Sequence, residues 1–396
     1  VNAPYPHTEP PNLHPDNLRA LVDRAILDVN MQSSPGVPCA AIGVLNSKLF
    51  ATHTPLIAHA AVERLKRLIE HRGQLSPVEL VKAGLCDPVR VFVKQEPHNK
   101  DKIASRRFRL ICSVSVVDQI VERVLCADQN NAEILQWGSL ASCPGMGLTL
   151  DVQTDQLWDN VQEAAQYCSL TSSDLSSFDW TVQEFELKGD AESRIELANA
   201  EGTLFAVALR NRVMCLSNKV FVLSDGRMFA QLHPGVQASG SYTTSSTNSR
   251  VRVAAGFYAG ASWVKAMGDD ALEEYREGAL EAYKRLGKIV KEYTIFNRNE
   301  PFEFCSHLFQ ARSVVKPLNW ARSLYRLLHQ SDNKAGYLAE LLALLRHDAG
   351  NSATVCDVVS RTGWCSDNDV IKAKSIAHSA SYLHVQTRLP QETWDP

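Results

Sequence analysis

The residues best suited to chemistry in this chain are carboxylates. Gly268-Asp269-Asp270 sits between an apolar run, Ser262 to Met267, and Ala271-Leu272. The pattern reads as strand, tight turn, strand, because Gly and Asp tolerate turn geometry that β-branched residues resist. Two acids at a hairpin tip suit a hard divalent cation, although a solvated turn accounts for the same three residues. A second pair lies far upstream. Tyr167 to Thr171 reads as a strand running into Ser172-Ser173-Asp174, with Asp179 following at the start of a helix. A carboxylate at Asp179 could also serve simply as an N-cap. If the two strands lie side by side, Asp174, Asp269 and Asp270 are the parts of a two-metal site. Phosphoryl transfer uses such ions to activate an attacking hydroxyl and to hold a leaving pyrophosphate. Magnesium, with its preference for few carboxylates, waters and phosphates, suits a set of Asp residues without His or Cys.

That chemistry needs cations for a polyphosphate, and the net charge of −3 hides them. Six basic residues, Lys94, Lys100, Lys102, Arg106, Arg107 and Arg109, fall in one stretch. A solvated basic loop is the plain alternative. Alternation would instead put Arg107 and Arg109 on one face of a strand, where both could reach phosphate. The hydroxyl-rich run His233 to Arg250 then passes into an apolar helix (Val251, Val253, Ala254, Phe257) and offers donors and acceptors to a polar ligand. A flexible linker fits poorly with Gln237, Tyr242 and Asn248 inside that run.

The elements that must position these groups are legible from periodicity. Helices are expected from Asp16 to near Gln32, Pro55 to His71, Pro77 to Leu85, Val114 to Ala127, Asp151 to Ala165 and Ala279 to Leu286. Strands are expected at Arg90 to Val93, in a hairpin about Ser224-Asp225-Gly226-Arg227, and at Ile289 to Ile295. Val1 to Pro15 reads as an extended arm, Ser33 to Pro38 as a loop, the chain from Trp320 as mostly helical, and Gln386 to Pro396 as a loose end.

Composition bounds the class. With 396 residues, 45% hydrophobic and 21% charged, the chain has ordinary globular proportions. No apolar run is long enough to span a bilayer, and no charged-then-apolar leader is present. Ten scattered cysteines without a C-x-x-C pair predict reduced, mostly buried thiols. A chain starting at Val1 without Met is expected to be a product cut from a longer precursor or an artificially trimmed piece.

Taken in order, these segments resemble the viral RNA-dependent RNA polymerases, most nearly those of the sobemovirus and polerovirus group of positive-strand plant viruses. The basic Lys94 to Arg109, Asp174 to Asp179, Ser239-Gly240 with Thr244 and Asn248, Gly268-Asp269-Asp270, and Phe302 to His307 follow that family's motif order. Ser-Gly, three residues, Thr, three residues, Asn matches its nucleotide-selecting motif in full. Ser34-Pro35-Gly36 resembles its template-guiding loop.

The resemblance implies an α+β right-hand fold closed by its fingertips. Residues 1–165 would form the arm and fingers, 166–310 the palm with a fingers insertion at about 181–235, and 311–396 a helical thumb and tail. It implies that Asp174, Asp269 and Asp270 hold two Mg²⁺ or Mn²⁺ ions. Lys94, Arg107 and Arg109 would hold the triphosphate, and Asp179, Ser239, Thr244 and Asn248 would read the ribose 2′-hydroxyl. Lys291 is the candidate acid for pyrophosphate, with Lys288 nearly equal to it. Ser34, Gly36, Cys305, Ser306 and His307 would line the template and primer path. The implied partners are an RNA template with its nascent strand, ribonucleoside triphosphates, a genome-linked viral protein and other replication proteins. The implied place is the host cytoplasm, at membrane-associated complexes reached through partners.

Other classes fit less well. A reverse transcriptase shares the palm, but commonly has an aromatic where this chain has Ala266 or Met267. A serine hydrolase lacks the G-x-S-x-G elbow, and a P-loop motor lacks G-x-x-x-x-G-K-[ST]. A non-catalytic RNA-binding or coat protein leaves the aspartates without a purpose.

Overall fold

Amphipathic helices open the chain and build its largest core. In the computed structural model, which describes residues 5–97 and 100–382, α1 (Leu18–Leu27) stops short of the expected end near Gln32. The loose end expected for Gln386 to Pro396 lies outside the described residues. Helix α2 (Asn46–Glu70) starts well before the expected Pro55 and bends at His53, where the proline's ring and missing N–H interrupt the ladder. Helix α3 (Pro77–Lys82) opens on a capping box between Ser76 and Glu79. Strand β1 (Val89–Val93), helix α4 (Lys100–Ala104) and strand β2 (Leu110–Ser113) follow, the two strands pairing antiparallel.

Helix α5 (Val116–Leu135) runs past the expected end at Ala127. Its second half buries Asn130 and Glu133, and buried polar groups erase the apolar period on which the expectation rested. Helix α6 (Asp151–Ala164) leads to the central β3 (Leu170–Leu175) and the short α7 (Phe178–Thr181). Helices α8 (Glu184–Leu197) and α9 (Leu204–Ser217) then precede the hairpin of β4 (Val220–Leu223) and β5 (Met228–Ala230). Because β4 pairs parallel with β1, this excursion returns to the N-terminal sheet, ordered β2-β1-β4-β5.

Helix α10 (Thr244–Tyr258) brings the chain back to β3 through β6 (Val264–Met267), β7 (Asp270–Glu274), α11 (Ala279–Arg285) and β8 (Val290–Phe296). The central sheet is ordered β6-β7-β3-β8, and every pairing in it is antiparallel. A third sheet of β9 (Phe302–Phe304), β10 (His307–Ala311) and β11 (Val314–Pro317) packs against it, with Phe296, Phe302 and Phe309 stacked at 5.0 and 4.9 Å between centroids. Sequence reading missed β10 and β11, whose hairpin crosses the boundary it drew after residue 310. Helices α12 (Trp320–Leu328), α13 (Lys334–Leu344), α14 (Ala349–Arg361) and α15 (Asp367–Tyr382) bundle around Leu338, Leu341, Leu345, Val355 and Val359.

The result is a mixed α/β fold with antiparallel sheets. All ten cysteines are free, six of them buried. Among the described residues no helix is long and apolar enough to cross a membrane.

Candidate active site

The β6–β7 hairpin closes on the pair Met267–Asp270, leaving Gly268 and Asp269 as its two-residue turn. Gly268 takes a φ of 64°, a conformation that a side chain would strain. Ser173 of β3 pairs with Ala271 of β7, so the next step along the ladder sets Asp174 across from Asp270. Three carboxylates from two distant segments therefore meet at one end of the central sheet.

Their electrostatics record the crowding. Burial, then the neighbouring Asp174, pushes Asp269 above the ordinary carboxylate range, with Arg109 and Arg252 opposing. Burial, then Asp269 and Asp174, pushes Asp270 up to about 7. Lys291 of β8 donates to Asp174 Oδ2 at 2.7 Å and lies 3.0 Å from Glu292, and the bond to Asp174 raises the Lys291 pKa. The donor set, all hard oxygens under mutual repulsion, fits a divalent cation such as Mg²⁺ or Mn²⁺. Among the described residues, however, no three acidic, His or Cys side chains are gathered closely enough to hold an ion as they stand. Asp174 is engaged by Lys291.

The structure separates Lys291 from Lys288. Lys288 is buried, and its Nζ donates to the Thr181 carbonyl at 2.9 Å and to Glu186 at 2.7 Å. It ties α8 to the loop after α11 and faces away from solvent. Lys291, half exposed, is the lysine at the acidic cluster.

Helix α10 carries the polar loop. Asn248 Nδ2 donates to Asp179 Oδ1 at 2.7 Å, joining two residues far apart in sequence. Asn248 Oδ1 is buried without a partner among the described residues. The Thr244 hydroxyl bonds the carbonyls of Ala238 (2.7 Å) and Ser241 (2.9 Å), shaping the loop. Ser239 Oγ accepts from the Cys112 N–H at 3.0 Å, which ties the loop to β2. A Cβ on Gly240 would stand 2.5 Å from the Cys112 carbonyl, and one on Gly36 2.8 Å from that of Val114. Both glycines permit close backbone approach to residues 112–115, and there the Ser34–Gly36 loop and the Ser239–Gly240 loop converge. Ser34 Oγ accepts from the Gly36 N–H at 3.3 Å.

The expected strand face shared by Arg107 and Arg109 does not form. Strand β2 begins at Leu110, and residues 107–109 run irregularly behind Arg106, whose φ is 53°. Consecutive exposed charges around Phe108 leave no apolar face to pair. Arg107 instead donates to Ser105 Oγ at 3.0 Å. Arg109 keeps the ladder's register through its carbonyl, which accepts from the Lys94 N–H at 2.8 Å. Its guanidinium lies 3.6 Å from the Glu96 carboxylate, and Lys94 Nζ lies 3.8 Å from the same carboxylate.

Cys305 and Ser306 form the turn between β9 and β10, both at positive φ (50° and 57°), as a tight two-residue hairpin requires. His307 Nδ1 bonds the Cys305 carbonyl at 2.7 Å, and burial lowers the His307 pKa. Burial, then Asp270, raises the Cys305 thiol, which places this turn beside the acidic cluster.

Comparison with known families matches residues 20–349 to the viral RNA-directed RNA-polymerases. The chain belongs to that family. The replicase polyprotein P2AB of Southern bean mosaic virus (isolate Bean/United States/Arkansas) is 44% identical over 310 residues, 76% of this chain and 32% of the polyprotein. Protein P1-P2 of Turnip yellows virus (isolate FL-1) is 42% identical over 322 residues, 74% of this chain and 30% of that protein. The chain thus spans about a third of the length of these relatives. The RNA-directed RNA polymerase of Mushroom bacilliform virus (isolate Australia/AUS LF-1) is 36% identical over 354 residues, 85% of this chain and 84% of the relative. Among solved structures, the Sicinivirus 3Dpol RNA dependent RNA polymerase superposes with a TM-score of 0.60 at 15% identity, over 96% of this chain and 82% of that one. At that identity the likeness is one of fold.

Sequence reading missed residues that hold the basic loop and the polar loop in place. Glu96, its side chain 3% exposed, is bound by Arg326 of α12 at 2.8 Å as well as by Lys94 and Arg109. Burial raises its pKa, but Lys94, Arg109 and Arg326 together hold it below the ordinary range. Glu122 of α5 accepts from the Ser241 hydroxyl (2.8 Å) and the Tyr242 N–H (2.6 Å), gripping the polar loop from behind. A charged residue within the helical pattern was the available signal at Glu122 and Arg326, whereas Glu96 lies in the loop after β1. The links from Glu96 to Arg326 and from Glu122 to Ser241 and Tyr242 span more than a hundred residues, where no local pattern reaches.

Proposed function

We propose that this chain is a template-directed RNA polymerase, transferring nucleotides from ribonucleoside triphosphates to an RNA 3′-hydroxyl and copying the genome of a positive-strand RNA virus. The convergence of Asp174 with Asp269 and Asp270, from strands far apart in the chain, carries this reading. Family membership and the shared fold support it.

In this reading Asp174, Asp269 and Asp270 hold two divalent ions, and Mg²⁺ or Mn²⁺ suits the oxygen donors. When bound, such ions lower the pKa of a hydroxyl and neutralise phosphate charge. The chain's own residues do the rest. Lys94 and Arg109 bind the triphosphate, with Arg107 further out on the same basic loop. Asp179 and Asn248 read the 2′-hydroxyl, the buried unpartnered Asn248 Oδ1 offering an acceptor that a deoxyribose leaves unpaired. Thr244 and Ser239 shape the loop that presents them. Lys291, poised on Asp174, is a proton donor to the leaving pyrophosphate once that ion pair opens. The Cys305–His307 turn supports the growing 3′ end, and the Ser34–Gly36 loop guides the template.

The fingers comprise 1–165 with the 181–235 excursion, the palm the rest of 166–310, and the thumb the C-terminal helices. The Glu96–Arg326 ion pair joins fingers to thumb and closes the hand. RNA, ribonucleoside triphosphates and other replication proteins, a genome-linked protein among them, are the partners. The host cytoplasm, at membrane-associated complexes, is the place of work.

The test is direct. Purified protein with Mg²⁺ or Mn²⁺, an RNA template and ribonucleotides should yield template-length RNA, and a preference for deoxyribonucleotides would sink the assignment. Asp269→Ala should abolish incorporation while RNA binding survives; full activity in that variant would remove the metal role.

A further inference from the structure

Behind the acidic cluster, on the opposite face of the central sheet, lies a fully buried arginine with no part in the chemistry above. Arg252 of α10 touches each of the elements that carry the carboxylates. Its Nε donates to the Asp269 carbonyl at 3.3 Å, and Nη2 donates to the hydroxyl of Ser173, the residue before Asp174. Nη1 donates to Tyr283 Oη of α11 at 2.6 Å, and both terminal nitrogens lie 3.3 Å from the Glu273 carboxylate of β7. Glu273 also accepts from Tyr283 (2.6 Å) and Ser173 (3.1 Å). One turn away on α10, Ser249 Oγ accepts from the Gly268 N–H at 2.9 Å. A further turn on, a Cβ at Gly256 would stand 2.8 Å from Glu273 Oε2, so the glycine lets the helix lie this close.

Positions 249, 252 and 256 form one face of the helix. Nearer its N-terminus α10 carries Thr244 and Asn248, the latter one turn before Arg252. Burying an ion pair for stability alone is a poor bargain, since apolar residues of similar volume commonly do as well. The geometry here is more specific than a generic core pair, because the donors end on the turn that holds Asp269 and on the strand that holds Asp174.

We propose that Arg252, assisted by Ser249, is a positioning residue that sets Asp269 and Asp270 relative to Asp174 for divalent-cation binding. Consecutive strand residues point to opposite faces, so Arg252 grips Ser173 while Asp174 faces the site. Its charge is matched by Glu273, and its action is mechanical: it fixes the separation of two strands whose carboxylates repel each other. The proposal rests on the polymerase reading for its functional meaning.

The experiment compares wild type, Arg252→Lys and Ser249→Ala. Mn²⁺ binding is measured directly by electron paramagnetic resonance, beside thermal melting, the Mg²⁺ dependence of RNA synthesis, and KM for ribonucleotide. Outer-shell partners of metal ligands commonly contribute 10- to 100-fold in affinity, so Arg252→Lys is expected to weaken Mn²⁺ binding by about tenfold and Ser249→Ala by about threefold. The half-saturating Mg²⁺ concentration should rise in parallel, while ribonucleotide KM and ribose preference stay put. Lower melting temperatures with unchanged Mn²⁺ affinity in the folded protein would overturn the proposal. If Arg252→Lys fails to fold, Ser249→Ala decides alone. Wild type that binds Mn²⁺ but makes no RNA would refute the polymerase reading and leave the positioning role standing.

Discussion

Asp270 offers the sharpest test of the acidic cluster. Burial and the charges of Asp269 and Asp174 raise its pKa to about 7, against the ordinary value of 3.8. A raised carboxylate pKa stabilises the metal-free fold below the unfolded value, and that stability is lost as pH rises through the folded value. The metal-free protein should therefore lose stability between about pH 4 and pH 7 from this group. A cation reverses the balance, because it takes the ionised form and expels the proton. The ionised fraction of Asp270 rises from roughly a tenth at pH 6 to roughly nine tenths at pH 8, so apparent Mg²⁺ affinity should climb about tenfold over that span and then level. Melting curves with and without Mg²⁺ at each pH read this as a widening gap in Tm. In Asp270→Asn the gap should be smaller and nearly flat with pH. Equal Mg²⁺-induced shifts at pH 6 and pH 8 in the unsubstituted protein would refute the reasoning, since they would mean that no proton leaves when the ion arrives.

Two further outcomes follow from distances elsewhere in the chain. Asn248→Ala removes the donor to Asp179, a bond to an ionised group worth about 1.5–3 kcal/mol, so selectivity for ribo- over deoxyribonucleotides should fall roughly ten- to a hundredfold, read from competing incorporation. Unchanged selectivity would remove Asn248 from ribose reading. Arg326→Gln cuts the link from α12 to Glu96 and should raise susceptibility to limited proteolysis in the basic loop and before α12, with higher salt acting in the same direction on the parent protein. Identical cleavage patterns would show that this ion pair does not hold the two segments together.

Successive turns of α10 meet different partners. Thr244 and Asn248, in its first turns, meet the polar loop and Asp179, while Ser249 and Arg252 meet the turn and sheet that carry Asp174, Asp269 and Asp270. On the proposed reading, substitutions at Thr244 and Asn248 are expected to change which nucleotide is taken, and those at Ser249 and Arg252 to change how tightly ions are held. Gly256 acts with the latter pair, because it brings the helix within contact of Glu273.

From sequence alone, the local chemistry could be read. The Gly268-Asp269-Asp270 turn, the Ser-Gly-x-x-x-Thr-x-x-x-Asn spacing, the alternating strands and most helices follow from short-range geometry, in which a residue's type and its neighbours settle what the backbone can do. Where that logic failed, the cause was polar burial or a proline: α5 outran its apolar pattern because Asn130 and Glu133 are buried, and α2 continued through Pro55 with a bend. Arg107 and Arg109 lack the strand that alternation suggested. Only the tertiary structure set Lys291 against Asp174 and Lys288 against Thr181, joined Asn248 to Asp179, and set Arg252 behind the carboxylates and Arg326 against Glu96. Each of those is a pairing of charged or polar groups between distant segments. Such pairs leave no periodic trace along the chain, and their value depends on burial that exists only once the sheets and helices have packed.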